Sequence, residues 1–151
     1  MKVVIDTNVV VSGTFWTGNS YEVIKTVVEG KATLIVSVPI LEEYDKILNS
    51  EEILDKTTAY QKARIEVIHK IISQAVIVEP KEKFEIIKDD LDDNKFLDAA
   101  IEGSVNYIIS QDKKHLLILK KFHNIPIISP EEFLKKSRIS NELIKINTFH
   151  F

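Results

Sequence analysis

The chain has 151 residues, 44% of them hydrophobic and 28% charged, with a formal net charge of −3 and no cysteine. This length suits one domain with a sizeable buried core. The missing cysteine excludes disulfides and thiolate-held metals, and the mild negative charge excludes a free-standing basic nucleic-acid binder while leaving room for an enzyme that acts on nucleic acid.

No apolar run approaches the ~20 residues of a membrane span. The first residues carry Lys2 and then a strand-like run with no small-residue cleavage site, so no membrane contact and a cytoplasmic location are expected.

Val3-Val4-Ile5 reads as a strand buried on both faces. It runs into Asp6-Thr7-Asn8, and Asp6 there either caps the next helix or holds a cation. Gly13 to Asn19 reads as a polar and aromatic loop in which Phe15 and Trp16 serve core or dimer packing, with base stacking as the alternative. Ser20 caps a helix over Tyr21 to Glu29, closed by Gly30, and Thr33 to Ser37 forms a second strand. Pro39 starts a helix that turns Leu41, Tyr44, Ile47 and Leu48 inward, and a longer helix spans about Thr58 to Gln74 with Ile65, Ile68, Ile71 and Ile72 as its stripe.

Ala75 to Val78 is a short strand closed by Pro80. The acidic tract Asp89 to Asp93 precedes a helix from Asn94 to Glu102, in which Asp89 and Asp90 are expected to be loop or cap acids. Tyr107 to Ser110 is the clearest later strand, and Gln111-Asp112-Lys113-Lys114 follows it. Ile127 and Ile128 form the last strand, after which Pro130 opens a short helix through Lys136. Strands alternating with helices, and apolar on both faces, predict an α/β fold: a three-layer α/β/α sandwich with a mostly parallel central sheet.

Asp6, Glu43, Asp93 and Asp112 recur at comparable places, after a strand or in a first helical turn. In a parallel sheet, strand ends and following helix starts share one edge, so Asp6 and Asp112 face one crevice. Asp93 reaches it only if its helix runs back towards that edge. Concentrated carboxylates raise one another's pKa unless a cation neutralises them. Oxygen ligands without cysteine select Mg²⁺ or Mn²⁺, which points to metal-assisted phosphodiester hydrolysis.

The ordered set Asp6-Thr7-Asn8, Ser37 with Glu43, Asp93 with Phe96 and Ala100, and Ser110 with Asp112 resembles the PIN-domain ribonucleases. The tract from Asp89 to Leu97 and the run Tyr107 to Asp112 resemble their VapC-like branch, the toxin components of toxin–antitoxin systems. The resemblance covers about Lys2 to Leu134. It implies a Mg²⁺- or Mn²⁺-dependent endoribonuclease whose site acids are Asp6, Glu43, Asp93 and Asp112. Thr7 or Asn8, and Ser110, would orient a carboxylate or a metal-bound water. Asp92 is the alternate inward acid, but Asp93 is preferred because Phe96 and Ala100 then share its helical face.

Lys95 is the foremost candidate for a substrate phosphate; Lys113, Lys114, His115, Lys120 and Lys121 read as a solvated face that could meet RNA. The four histidines show no ligand spacing. The resemblance further implies an RNA substrate, a cognate antitoxin and a homodimer, with the two helices of residues 21–29 and 39–49 and the apolar tail as candidate surfaces. Ser110 replaces a threonine common in the family, and the fourth acid is often replaced there.

Residues 1–136 thus form the nuclease-like domain, and 137–151 an apolar tail with Leu143, Ile144, Ile146, Phe149 and Phe151 for packing or partner contact. A haloacid-dehalogenase-type phosphatase would need a second Asp where Asn8 stands, and a receiver domain would space its acids otherwise. Two alternatives persist: a PIN-like module that binds RNA or protein without cutting, and an RNA-processing or DNA-directed nuclease of the same fold.

Overall fold

The computed structural model describes residues 1–138. Strand β1 (Lys2–Ile5) is the centre of the sheet, flanked by β2 (Thr33–Val36) and β4 (Tyr107–Ile109), both parallel to it. Beyond β2 lies β3 (Val76–Ile77); beyond β4 lie β6 (Ile125–Ile128) and then β5 (Lys121–Phe122), giving the order β3-β2-β1-β4-β6-β5. Among the described residues, only the β5–β6 pair is antiparallel. Val3, Val4 and Ile5 are fully buried, as strands covered on both faces require.

The helices are α1 (Thr7–Phe15), α2 (Asn19–Val28), α3 (Val38–Leu48), α4 (Glu51–Lys56), α5 (Ala59–Gln74), α6 (Asn94–Glu102) and α7 over residues 130–138. Helix α1 packs on α2, α3 and α5, whereas α6 lies across β1, β2 and β4. The result is the three-layer α/β/α sandwich expected from the sequence. No helix among the described residues is long and apolar enough to cross a membrane.

Several boundaries differ from expectation. Residues 7–15 form a helix that reaches into the segment assigned to a loop. Its Val9-Val10-Val11 run carries a strand-like composition, and tertiary packing overrides that propensity. Gly13 is what lets α2 approach: a Cβ there would stand 2.9 Å from the Ser20 carbonyl oxygen. Gln61 and Arg64 of α5 donate to the carbonyls of Phe15 (3.3 Å) and Thr14 (3.3 Å), capping the end of α1.

Helix α2 begins one residue before Ser20, with Gly18 at its cap. Ser20 is buried and accepts a bond from Gln111 Nε2 (2.9 Å) instead of capping. Trp16 does not join the core: its side chain is 63% exposed, at the rim of an apolar cleft with Phe15, Val11 and Ile53. The short α4 and the β5–β6 hairpin were not anticipated. His123 and Asn124 turn that hairpin with φ of 47° and 68°, the pair of positive values a two-residue turn demands. Ser137 and Arg138 continue α7, and the apolar tail from residue 139 onward lies outside the described residues.

Candidate functional site

Strand β1 connects outward to β2 on one side, while β4 connects outward to β6 on the other, so the chain reverses direction between β1 and β4. Such a reversal opens a crevice at the carboxyl ends of the strands. Asp6 follows β1 and Ser110 follows β4, with Ile5 opposite Ile109 in register and the Asp6 N–H donating to the Ile109 carbonyl (2.9 Å). Helix α6 runs back against β4, which it precedes, and therefore brings its first residues to the same edge. Asp93 joins the site by that route.

Asp6 occupies the cap position of α1 but makes no capping bond with its side chain. Its carboxylate is 5% exposed and accepts the buried Ser110 hydroxyl on Oδ2 (2.8 Å). The same hydroxyl accepts the Asp112 N–H (2.9 Å). Asp112 in turn accepts the N–H groups of Lys114 (3.0 Å) and His115 (3.1 Å) on Oδ1, an Asx-type turn that fixes the carboxylate.

Glu43 is set by its neighbour. Tyr44 is fully buried and donates its hydroxyl to the carbonyl of Ile5, pinning α3 to the end of β1. The Thr7 hydroxyl donates to Glu43 Oε2, and Lys95 donates to Oε1 (2.7 Å). Lys95 also reaches Asp92 Oδ2 (2.7 Å) and is only 10% exposed, so the ammonium expected on a substrate phosphate is paired with two carboxylates. Asp92 is 73% exposed and faces Lys95, whereas Asp93 is largely covered and faces the crevice acids. Asn8 is exposed and outside this arrangement; Lys113, Lys114, Lys120 and Lys121 are exposed as well.

The electrostatics follow from crowding. Burial pushes Asp6 up to about 6; the Ser110 hydroxyl offsets part of this, while Asp112 and Glu43 add to it. Burial likewise pushes Asp93 up to about 7, reinforced by Asp90, Asp6 and Asp112 and opposed by His115. For Lys95 burial acts downward, but Asp92 and Glu43 outweigh it and hold the ammonium above its ordinary value. Burial, with Asp6 and Glu43 nearby, holds the Tyr44 hydroxyl well above its usual range. Carboxylates that raise one another in this way suit a divalent cation, and their oxygens are the donors that Mg²⁺ and Mn²⁺ take.

Three contributors escaped the sequence reading. His115 places Nδ1 3.3 Å from Asp112 Oδ2 and 3.4 Å from Asp93 Oδ2. Its position three residues after Asp112 was the available signal. Asp90, expected as a loop or cap acid, brings a carboxylate oxygen into the same cluster, where one atom each of Asp90, Asp93 and His115 lies within 4.8 Å of the others. Asn94, buried at the start of α6, accepts from Ile86 (3.0 Å) and Ile87 (2.9 Å) and donates to the carbonyls of Ile87 and Leu91 (both 3.0 Å). These four bonds fasten the 86–91 segment over the helix start and so position Asp90 and Asp93.

A profile of the PIN domain matches residues 2–114. The fold is also similar to two solved structures. One is VapBC2 from Rickettsia felis bound to a DNA fragment from its promoter, at 13% identity and a TM-score of 0.54, covering 85% of this chain and 98% of that chain. The other is PAE2754 from Pyrobaculum aerophilum, at 12% identity and a TM-score of 0.58, covering 90% of this chain and 88% of that chain. No curated protein matches the chain by sequence.

Proposed function

The chain belongs to the PIN domain family, and we propose that it is a Mg²⁺- or Mn²⁺-dependent endoribonuclease, the toxin of a toxin–antitoxin pair. What supports this reading is that acids from four separate segments act on one another: Asp112 and Glu43 help raise Asp6 to about 6, and Asp6 and Asp112 help raise Asp93 to about 7. A scaffold gains nothing from carboxylates that repel in a confined space. A bound divalent cation would neutralise them, polarise a phosphodiester and activate the attacking water.

The residues divide the remaining work. Asp6, Asp93 and Asp112 would hold the cation, with Ser110 fixing the angle of Asp6 and the Asx turn fixing Asp112. Glu43 has both oxygens engaged, by Thr7 and Lys95, which suits an acid that orients water from one step back as well as one that binds directly. Lys95 would release Asp92 to meet a phosphate, or keep Glu43 oriented. An antitoxin would act by covering the crevice. The similarity in fold to VapBC2 supports such a partner, and a homodimer follows from the same reading.

The test is cleavage of a mixed RNA pool with Mn²⁺, with Mg²⁺ and with EDTA, using wild type and Asp6→Asn. Cutting that needs metal and disappears in the variant is the expected result. Metal binding without cutting of any RNA would favour a binding module instead.

A further inference from the structure

We propose that the imidazole of His115 is a nitrogen ligand to the divalent cation of this crevice, beside Asp93 and Asp112, and that it gives the site a preference for Mn²⁺ over Mg²⁺. The inference rests on the metal-dependent reading above and extends it to a residue outside the expected set of acids.

The distances decide between two roles for the ring. A charge-assisted N–H···O bond to a carboxylate measures about 2.7–2.9 Å. His115 Nδ1 instead stands 3.3 Å from Asp112 Oδ2 and 3.4 Å from Asp93 Oδ2, nearly equidistant from two oxygens that belong to different elements. Adjacent ligands around a cation with bonds of ~2.1 Å lie about 3 Å apart, because they span the edge of an octahedron. Each of the two oxygens stands only a few tenths of an ångström beyond that spacing from the ring nitrogen.

Attachment makes the set rigid on one side. The His115 backbone N–H donates to Asp112 Oδ1 (3.1 Å), so ring and carboxylate ride on a single turn while Asp112 Oδ2 stays directed at the ring nitrogen. Asp90 supplies a further oxygen within 4.8 Å of the Asp93 and His115 donor atoms. Mg²⁺ takes oxygen ligands and sheds water reluctantly, whereas imidazole adds affinity for first-row transition cations. A site of carboxylates alone would lack that discrimination.

The experiment uses the whole chain and Mn²⁺ as the only probe at first. Electron spin-echo envelope modulation of the Mn²⁺-loaded wild type is expected to contain coupling to a directly bound nitrogen, absent in His115→Gln. Titrations should find Mn²⁺ affinity reduced about tenfold in His115→Gln while Mg²⁺ affinity changes less than about threefold. His115→Asp, which restores an oxygen donor, should bind Mg²⁺ at least as well as wild type without the Mn²⁺ preference. Absence of nitrogen coupling in wild type, or its persistence in His115→Gln, would overturn the assignment while leaving the nuclease reading intact. Failure of wild type to bind Mn²⁺ at all would overturn both. A wild-type spectrum without nitrogen coupling is decisive even where a variant folds poorly.

Discussion

Asp6 and Asp112 are held by the sheet edge and its adjoining backbone, whereas Glu43 and Asp93 are delivered by helices and held by side chains. On the sheet side, Ser110 links both acids and peptide N–H groups clamp Asp112. On the helix side, Glu43 depends on Thr7 and Lys95, and Asp93 on a segment stitched down by Asn94. The contrast separates geometry from charge. The sheet half is preset, because its partners are neutral hydroxyl and amide groups. The helix half adds one ammonium, Lys95, to its neutral partners, and Glu43 will respond to anything that changes that charge.

The largest effect is expected from Asp6→Asn, which should lower metal-dependent RNA cleavage by about 10³-fold while raising the thermal stability of the metal-free protein, since a buried charge is removed. Loss of cleavage together with loss of folding would break the distinction between the two halves. Asn94→Ala removes four bonds to backbone groups, two of them buried, and should cost about 3 kcal/mol in urea unfolding. It should weaken metal binding through Asp93 and leave the Asp6–Ser110 pair in place.

pH sharpens the comparison next. Asp6 and Asp93 bind protons more tightly in the folded chain than in the unfolded one, so between about pH 4 and pH 7 the native state carries the extra protons. Stability of the metal-free protein should therefore fall as pH rises through that window and level off above it. The rise of Asp6 from 3.8 to about 6 corresponds to about 3 kcal/mol, a drop in Tm on the order of 6–10 °C in EDTA. Saturating Mn²⁺ should flatten the profile. Ser110→Ala should reduce cleavage by about tenfold to a hundredfold with a small change in stability. Asp92→Asn, at an exposed acid, should alter stability by no more than about 0.5 kcal/mol.

The sheet half was the more legible part of the molecule in sequence. Three β-branched residues before Asp6, and three apolar residues before Ser110, identify strands whose ends must share an edge in a parallel sheet. The strand pattern carried the fold class for the same reason. The helix half was legible only as a list of acids. Whether Asp93 reached the crevice depended on the direction of α6, which periodicity alone does not fix. Lys95 was read as a phosphate ligand because it sits closest in sequence to the acids; its burial between Glu43 and Asp92 is a tertiary fact. Asn94 was read only as the first residue of a helix, and His115 only as one of a group of basic residues, its spacing of three from Asp112 passing unused. Helix α1 was obscured by its valines, whose local preference yields to packing against α2 and α5.

The hydroxyl of Ser110 and the carboxylate of Asp6 are 104 residues apart in the chain. Synthesis therefore produces Asp6 early and leaves it without its partner until β4 has left the ribosome, at about 5–20 residues per second. The crevice closes only when most of the domain is present, so chains released before β4 would carry the first acid and no assembled site.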